Sequence, residues 1–267
     1  YNLVDLSSEP FRFYKERNPT LTLTEGAGAV KDFSHLNYQR AFEALHEKVS
    51  REYPFTAEKG IDWEGLKEAF IPRFKKANSD KDFYRALRDY SFQIPDGHVG
   101  LSINRDVFFD EYGGGFGMIL DRLSDGRVVV KDVLADLPAE KAGILQGAEI
   151  LSWDGEPVDQ AISKVVPGFG PYSTQHTMKQ AQVSFLSRRS PNTQVDVVYT
   201  YPGNSQQKSA TLKAVSEYDS LFMSIPSFNV DSLELPLVGQ ELNEGGIGYI
   251  RIDTFSDDYA LMAGVWD

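Results

Sequence analysis

The sequence predicts an α+β chain of more than one domain, and three observations carry the prediction. Between Phe33 and Tyr90 the apolar residues recur at helical spacing. From about residue 111 the period drops to two, in short apolar runs separated by turn residues. The third observation is length, because 267 residues can bury a substantial core and exceed one typical domain.

Residues 1–30 are mixed and turn-rich, end in EGAGAV and read as a loose lead-in. YQRAFEALHEKVSREY then places Phe42, Leu45, Val49 and Tyr53 on one face at i, i+3, i+7 and i+11. DWEGLKEAFIPRFKKA opens on Asp62 as N-cap and turns Leu66, Phe70 and Phe74 inward. SDKDFYRALRDYSFQI starts with the cap residues Ser79 and Asp80. Three such helices predict an N-terminal helical domain over 1–110, closing on IPDGHVGL. That stretch turns on Pro95, Asp96 and Gly97 and delivers His98 at the head of an apolar segment.

Beyond the switch in period, FGMILDRL and GRVVVKDVL are short strands joined by a Ser-Asp-Gly turn. LPAEKAGI is a short helix with Pro138 near its start and Gly143 at its end. AEILSWDGEPV is a further strand, TQHTMKQAQVSFLSRR returns to helical spacing, and TQVDVVYTYPGNSQQKSATLKAV is a hairpin. Strands around two helices predict a small, partly open β-barrel over 111–215, with the helices at its openings. Residues 216–267 read as a linker followed by a buried strand, NEGGIGYIRIDTF, with Ile247, Tyr249 and Ile250 among its apolar residues. SDDYALMAGVWD then opens a capped helix. A strand followed by the first turns of a helix is the start of an α/β unit, so the expectation is the N-terminal portion of a longer protein. The start at Tyr1, with no basic-then-apolar leader, reads as a mature or trimmed form.

Composition narrows the function classes. The apolar fraction of 41% and charged fraction of 25% are ordinary for a soluble globular chain. The net charge of −12 disfavours nucleic acid and anionic membrane surfaces. With no cysteine there is no thiolate nucleophile, thiolate metal site or disulfide. No apolar run reaches the ~18 residues of a membrane span.

The candidate chemistry lies in two places. EYGGGFGMIL lacks the Gly-Lys-Ser/Thr ending of a phosphate loop and the spacing of a dinucleotide fingerprint. Its glycines lead straight into an apolar strand. That arrangement suits a peptide's terminal carboxylate held by successive loop amides, with the peptide backbone added as an edge strand. A glycine-rich turn that merely bends the chain reads equally well from spacing alone. The other place is His98. His46 in LHEKVS has no second histidine four residues on and reads as a helix-surface residue, and His35 and His176 have no supporting constellation. No serine sits at a Gly-flanked strand-to-helix elbow. No metal or other cofactor is expected.

Taken in order, these segments resemble the tricorn-like branch of the C-terminal processing peptidases, which are serine peptidases. The residues that carry the resemblance are YPFTAEKGIDWEGL and PDGHVGL, then GGGFGMIL, VVVKDVLADLPAEKAGILQGAEILSWDGEPV and VDVVYTYPG, then GGIGYIRIDTF. The resemblance spans residues 33–267. It implies a PDZ-like peptide-binding domain over 111–215 and the first strand and helix of an α/β peptidase core over 216–267. It implies that His98 is the general base, a role an imidazole with an ordinary pKa near 6.5 can fill at neutral pH. The nucleophilic serine, oxyanion-hole amides and supporting acid are implied to lie beyond Asp267, so 1–267 alone is expected to be inactive. Gly115, Phe116, Gly117, Met118 and Ile119 are the expected peptide-binding residues, and the expected partner is a peptide with an apolar C-terminus. A periplasmic or extracellular location is implied. The competing reading is a non-catalytic peptide-binding module in which His98 is structural.

Overall fold

The computed structural model describes residues 2–5, 9–15, 17, 31–203, 206–224, 237–241 and 248–252. Where no element was anticipated, β1 (Asn2–Asp5) and β2 (Arg12–Lys15) pair antiparallel. EGAGAV and the expected C-terminal helix SDDYALMAGVWD lie outside the described residues.

The helical part is α1 (Tyr38–Glu52), the short α2 (Thr56–Lys59), α3 (Trp63–Lys76) and α4 (Asp80–Ser91). Each long helix is capped as an N-terminus should be. The side chains of Asn37, Asp62 and Ser79 accept from the N–H groups of Arg40, Gly65 and Asp82. The inward faces meet in an aromatic core. Phe42 is fully buried and stacks on Phe74 with centroids 3.9 Å apart, and Tyr90 meets Phe42 edge-on. Truncating either Phe would cost about 3–5 kcal/mol.

One residue departs from the expected face. His46, read from sequence as surface, is buried, and it takes the core position that the i+3 spacing gave to Leu45. The stripe therefore runs 42, 46, 49, 53, as the 3.6-residue turn prefers. The His46 Nδ1 lies 2.9 Å from the Tyr90 hydroxyl. Burial, with the Lys67 ammonium nearby, lowers its pKa, so it stays neutral in the core.

A fifth helix, α5 (Arg105–Tyr112), follows the histidine loop, where the sequence reading placed no element. Its signals are local: the Asn104 side chain accepts from Val107 N–H at 3.1 Å, Asp106 sits in the first turn and Gly113 ends it. Glu111 of α5 is held by Arg85 and Arg88 of α4, each at 2.6 Å.

The second half is built on antiparallel sheets. β3 (Gly114–Gly115), β4 (Met118–Arg122) and β5 (Val128–Val133) lead to α6 (Pro138–Lys141). β6 (Glu149–Trp153) and β7 (Glu156–Pro157) precede α7 (Val158–Ser163), a helix the sequence reading did not separate, and α8 (Gln175–Leu186). β8 (Gln194–Thr200) and β9 (Lys208–Lys213) form the expected hairpin. β10 (Val215–Ser216) and α9 (Asp219–Ser224) follow, then β11 (Leu237–Glu241) and β12 (Gly248–Ile252), which pair with each other. The anticipated strand at residues 248–252 is therefore present, with a partner the sequence did not announce.

The main sheet runs β4-β5-β6-β8-β9, with β7 attached to β6. It is open: among the described residues β4 and β9 are its edges and no sheet closes into a barrel. Alternation sets its inner face on β5 and β8, where Val128, Val130, Val195 and Val197 meet Met118 and Leu120 of β4, and the register shift between Ile150 and Ser152 lets both Ile150 and Trp153 of β6 join them.

Candidate functional site

His98 is positioned by the end of α4. Ile94, 1% exposed, plugs the helical core and fixes where the chain leaves it. Pro95 then turns the chain, and Asp96 folds its carboxylate back under the loop. Asp96 Oδ1 accepts from the His98 backbone N–H at 2.9 Å and lies 3.0 Å from His98 Nδ1. Asp96 Oδ2 accepts from the Tyr53 hydroxyl, at the end of α1, at 2.8 Å. The His98 backbone N–H, the Tyr53 hydroxyl and the imidazole together draw the Asp96 pKa down to about 2. The carboxylate is thus ionised at neutral pH and only accepts, so Nδ1 of His98 carries a proton and Nε2 is the basic nitrogen. Stabilisation from this depressed pKa is present above the ordinary carboxylate range and is lost as pH falls through about 2. Asp96 is buried while the His98 side chain is 98% exposed. The arrangement is a held imidazole: anchored at one nitrogen and open at the other.

The loop is also held from the far side of the sequence. Gly97 N–H donates to Ser173 Oγ at 2.8 Å, and Phe92 packs edge-on against Tyr172. Ser173 immediately precedes Thr174, the N-cap of α8. The histidine loop therefore rests on the segment that launches α8.

The glycine loop is the second element. Its carbonyls are turned toward the start of α6: Phe116 O accepts from Ala139 N–H at 2.9 Å and Gly117 O from Leu134 N–H at 2.8 Å. Phe116 and Met118, expected to line a ligand pocket, are fully buried in the sheet core, with Phe116 meeting the Trp153 ring edge-on. Gly117 has φ +70°, the left-handed region that favours glycine. A Cβ there would lie 2.3 Å from Leu137 Cβ. Gly117→Val should therefore destabilise the fold by on the order of 3 kcal/mol, from backbone strain and overpacking together. Urea unfolding reads this directly, and wild-type stability would show that Leu137 does not pack against the loop. Ile119 is 4% exposed, and β4 is an edge strand with α8 packed against it.

Residues 34–91 match the tricorn protease C1 domain. The match covers α1 to α4 and stops just before the His98 loop. Among solved structures the chain is similar to mature CPAF, at 16% identity and a TM-score of 0.50, over 67% of this chain and 34% of that one. It is also matched to a photosystem II D1 C-terminal processing protease at 22% identity and TM-score 0.30, over 85% of this chain and 55% of that one. A third match is the HtrA-type protease AlgW with decapeptide, at 19% identity and TM-score 0.28, over 50% and 35%. Of these, the likeness to mature CPAF reaches the level of a shared fold. The chain spans about a third of that protein's length and just over half of the D1 processing protease's. No curated protein matches the sequence at a significant level. The C1 match points to a tricorn-like protein over residues 34–91, and the likeness to mature CPAF shows the fold alone.

His98 and the loop of residues 115–119 belong to different elements, linked through the run from Ser173 into α8. Sequence reasoning missed Asp96 as the partner of His98, Tyr53 as the partner of Asp96, and Ser173 as a support of the loop. Asp96 was legible as a turn former; that its carboxylate reaches the imidazole two residues on was available from the Asx geometry of such turns. Tyr53 and Ser173 carried no local signal. Among the described residues no helix is long and apolar enough to cross a membrane.

Proposed function

We propose that this chain is the N-terminal and PDZ-type portion of a serine endopeptidase that engages the C-terminal region of a protein substrate and hydrolyses a peptide bond. The observation that carries the reading is the Asp96-held, outward-facing imidazole of His98 at the end of a C1 domain. Nε2 accepts the proton of a serine hydroxyl as its oxygen attacks the scissile carbonyl. It returns that proton to the amine as the C–N bond breaks, leaving an acyl-serine that water cleaves by the same two transfers. Asp96 keeps the imidazole in the tautomer this requires and stabilises the imidazolium without itself being protonated. By the family resemblance, the serine would lie beyond Asp267. The open sheet with α8 beside its edge strand supports a PDZ-type groove for an extended peptide with an apolar terminus.

Fluorophosphonate labelling tests the reading. In the protein extended past Asp267 one serine beyond that residue should be labelled, and 1–267 should not label. A label on any serine of 1–267 would move the active site. No label in the longer protein would leave a peptide-binding module without catalysis.

A further inference from the structure

The strand–helix groove already has something in it. After β9 the chain passes along the glycine loop, with Val215 opposite Gly115 and Ser216 opposite Gly114. It then places the carboxylate of Glu217 against that loop. A Cβ added to Gly115 would lie 1.7 Å from Glu217 Oε1 and 2.2 Å from Arg188 Nη1. The Arg188 guanidinium, 1% exposed, donates to Glu217 Oε1, and its Nε and Nη2 donate to Tyr112 O at 3.1 and 3.0 Å. From there α9 packs against both β4 and α8. Leu221, 1% exposed, inserts among Phe108, Tyr112 and Phe185, the last on α8. Ile119 of β4 is buried although it belongs to none of the core clusters, so its cover comes from outside the sheet core.

A bound peptide terminus supplies an anion at the glycine loop, an apolar side chain beside it and cover for the edge strand; here Glu217, Leu221 and α9 packed on β4 stand in those places, with β10 paired to the loop at Gly114–Gly115. We propose that Glu217 and α9 are a resident pseudo-ligand of this groove, and that Arg188 is the receptor for the α-carboxylate of the peptide that displaces them. The inference rests on the PDZ-type reading of the preceding section.

The exchange is physically cheap for two reasons. A peptide carboxylate replaces a side-chain carboxylate, so Arg188 stays paired and no buried charge is orphaned. The leaving segment is a six-residue helix, too short to persist on its own, and its Phe222 and Met223 are already 42% and 44% exposed. Occupancy by α9 lowers the apparent affinity for a peptide by the fraction of molecules in which the groove is open.

The test titrates 1–267 with an octapeptide ending in Val-Leu, as free acid and as C-terminal amide, and follows hydrogen exchange. Binding of the free acid should speed exchange at residues 219–224 and slow it along 118–122. Glu217→Gln, which loosens the latch while keeping a neutral acceptor, should bind the free acid about tenfold tighter than wild type. The amide should gain much less. Leu221→Ala provides a second release if Glu217→Gln does not fold. Binding of the free acid with α9 protection unchanged, and with no gain in either variant, would overturn the pseudo-ligand and leave the groove reading standing. Failure of wild type and both variants to bind either peptide would remove the groove reading, and the inference with it.

Discussion

His98→Ala, in the protein extended to include its nucleophile, should lower kcat by at least about 10³-fold with little change in KM, as loss of a triad base does. The fold should not register the change. The ring is 98% exposed and makes no core contact that its removal would void, so the variant should melt within a degree or so of wild type, as is usual away from packed features. Asp96→Asn separates positioning from proton transfer. An amide in place of the carboxylate no longer fixes a proton on Nδ1, so activity should fall at least about tenfold while Nε2 is still present. Nitrogen chemical shifts of the His98 ring read the tautomer directly, a signature that a purely structural Asp96 would not move. Activity of His98→Ala at a tenth of wild type or more would remove the base from the mechanism.

Arg188→Met should destabilise the second half of the chain strongly. It leaves the Glu217 carboxylate, 9% exposed, without its guanidinium and Tyr112 O without two donors. Removing one partner of a buried pair costs about 3–5 kcal/mol, because the remaining charge is left uncompensated. For a chain of this size that is on the order of 10 °C in Tm. The double change Arg188→Met with Glu217→Leu should recover most of the loss, since an apolar pair of similar volume replaces an ion pair at little net cost. A melting temperature for Arg188→Met equal to wild type would mean that the pair is solvated in solution and does not anchor the segment before α9.

The amino-acid sequence by itself determined what lies within a turn or two of each residue. Caps at Asp62 and Ser79, the short apolar runs of β4 and β5, the β8–β9 hairpin and the Pro95-Asp96-Gly97 turn that delivers His98 are local preferences, and the structure keeps them. It was at its weakest where a short helix had no long apolar stripe, as at α5, announced by its Asn104 cap alone, and at α7, which has no side-chain cap. What only the tertiary structure decided is which distant groups meet. Tyr53 reaches Asp96 across 43 residues, Ser173 reaches Gly97 across 76, and Arg188 reaches Glu217 across 29. The burial of His46 belongs here too, since its face depends on where α3 and α4 pack. No propensity encodes such pairs. Each forms because chain closure over that distance, which costs free energy only logarithmically with length, is outweighed by burial of the faces that the local pattern had already prepared.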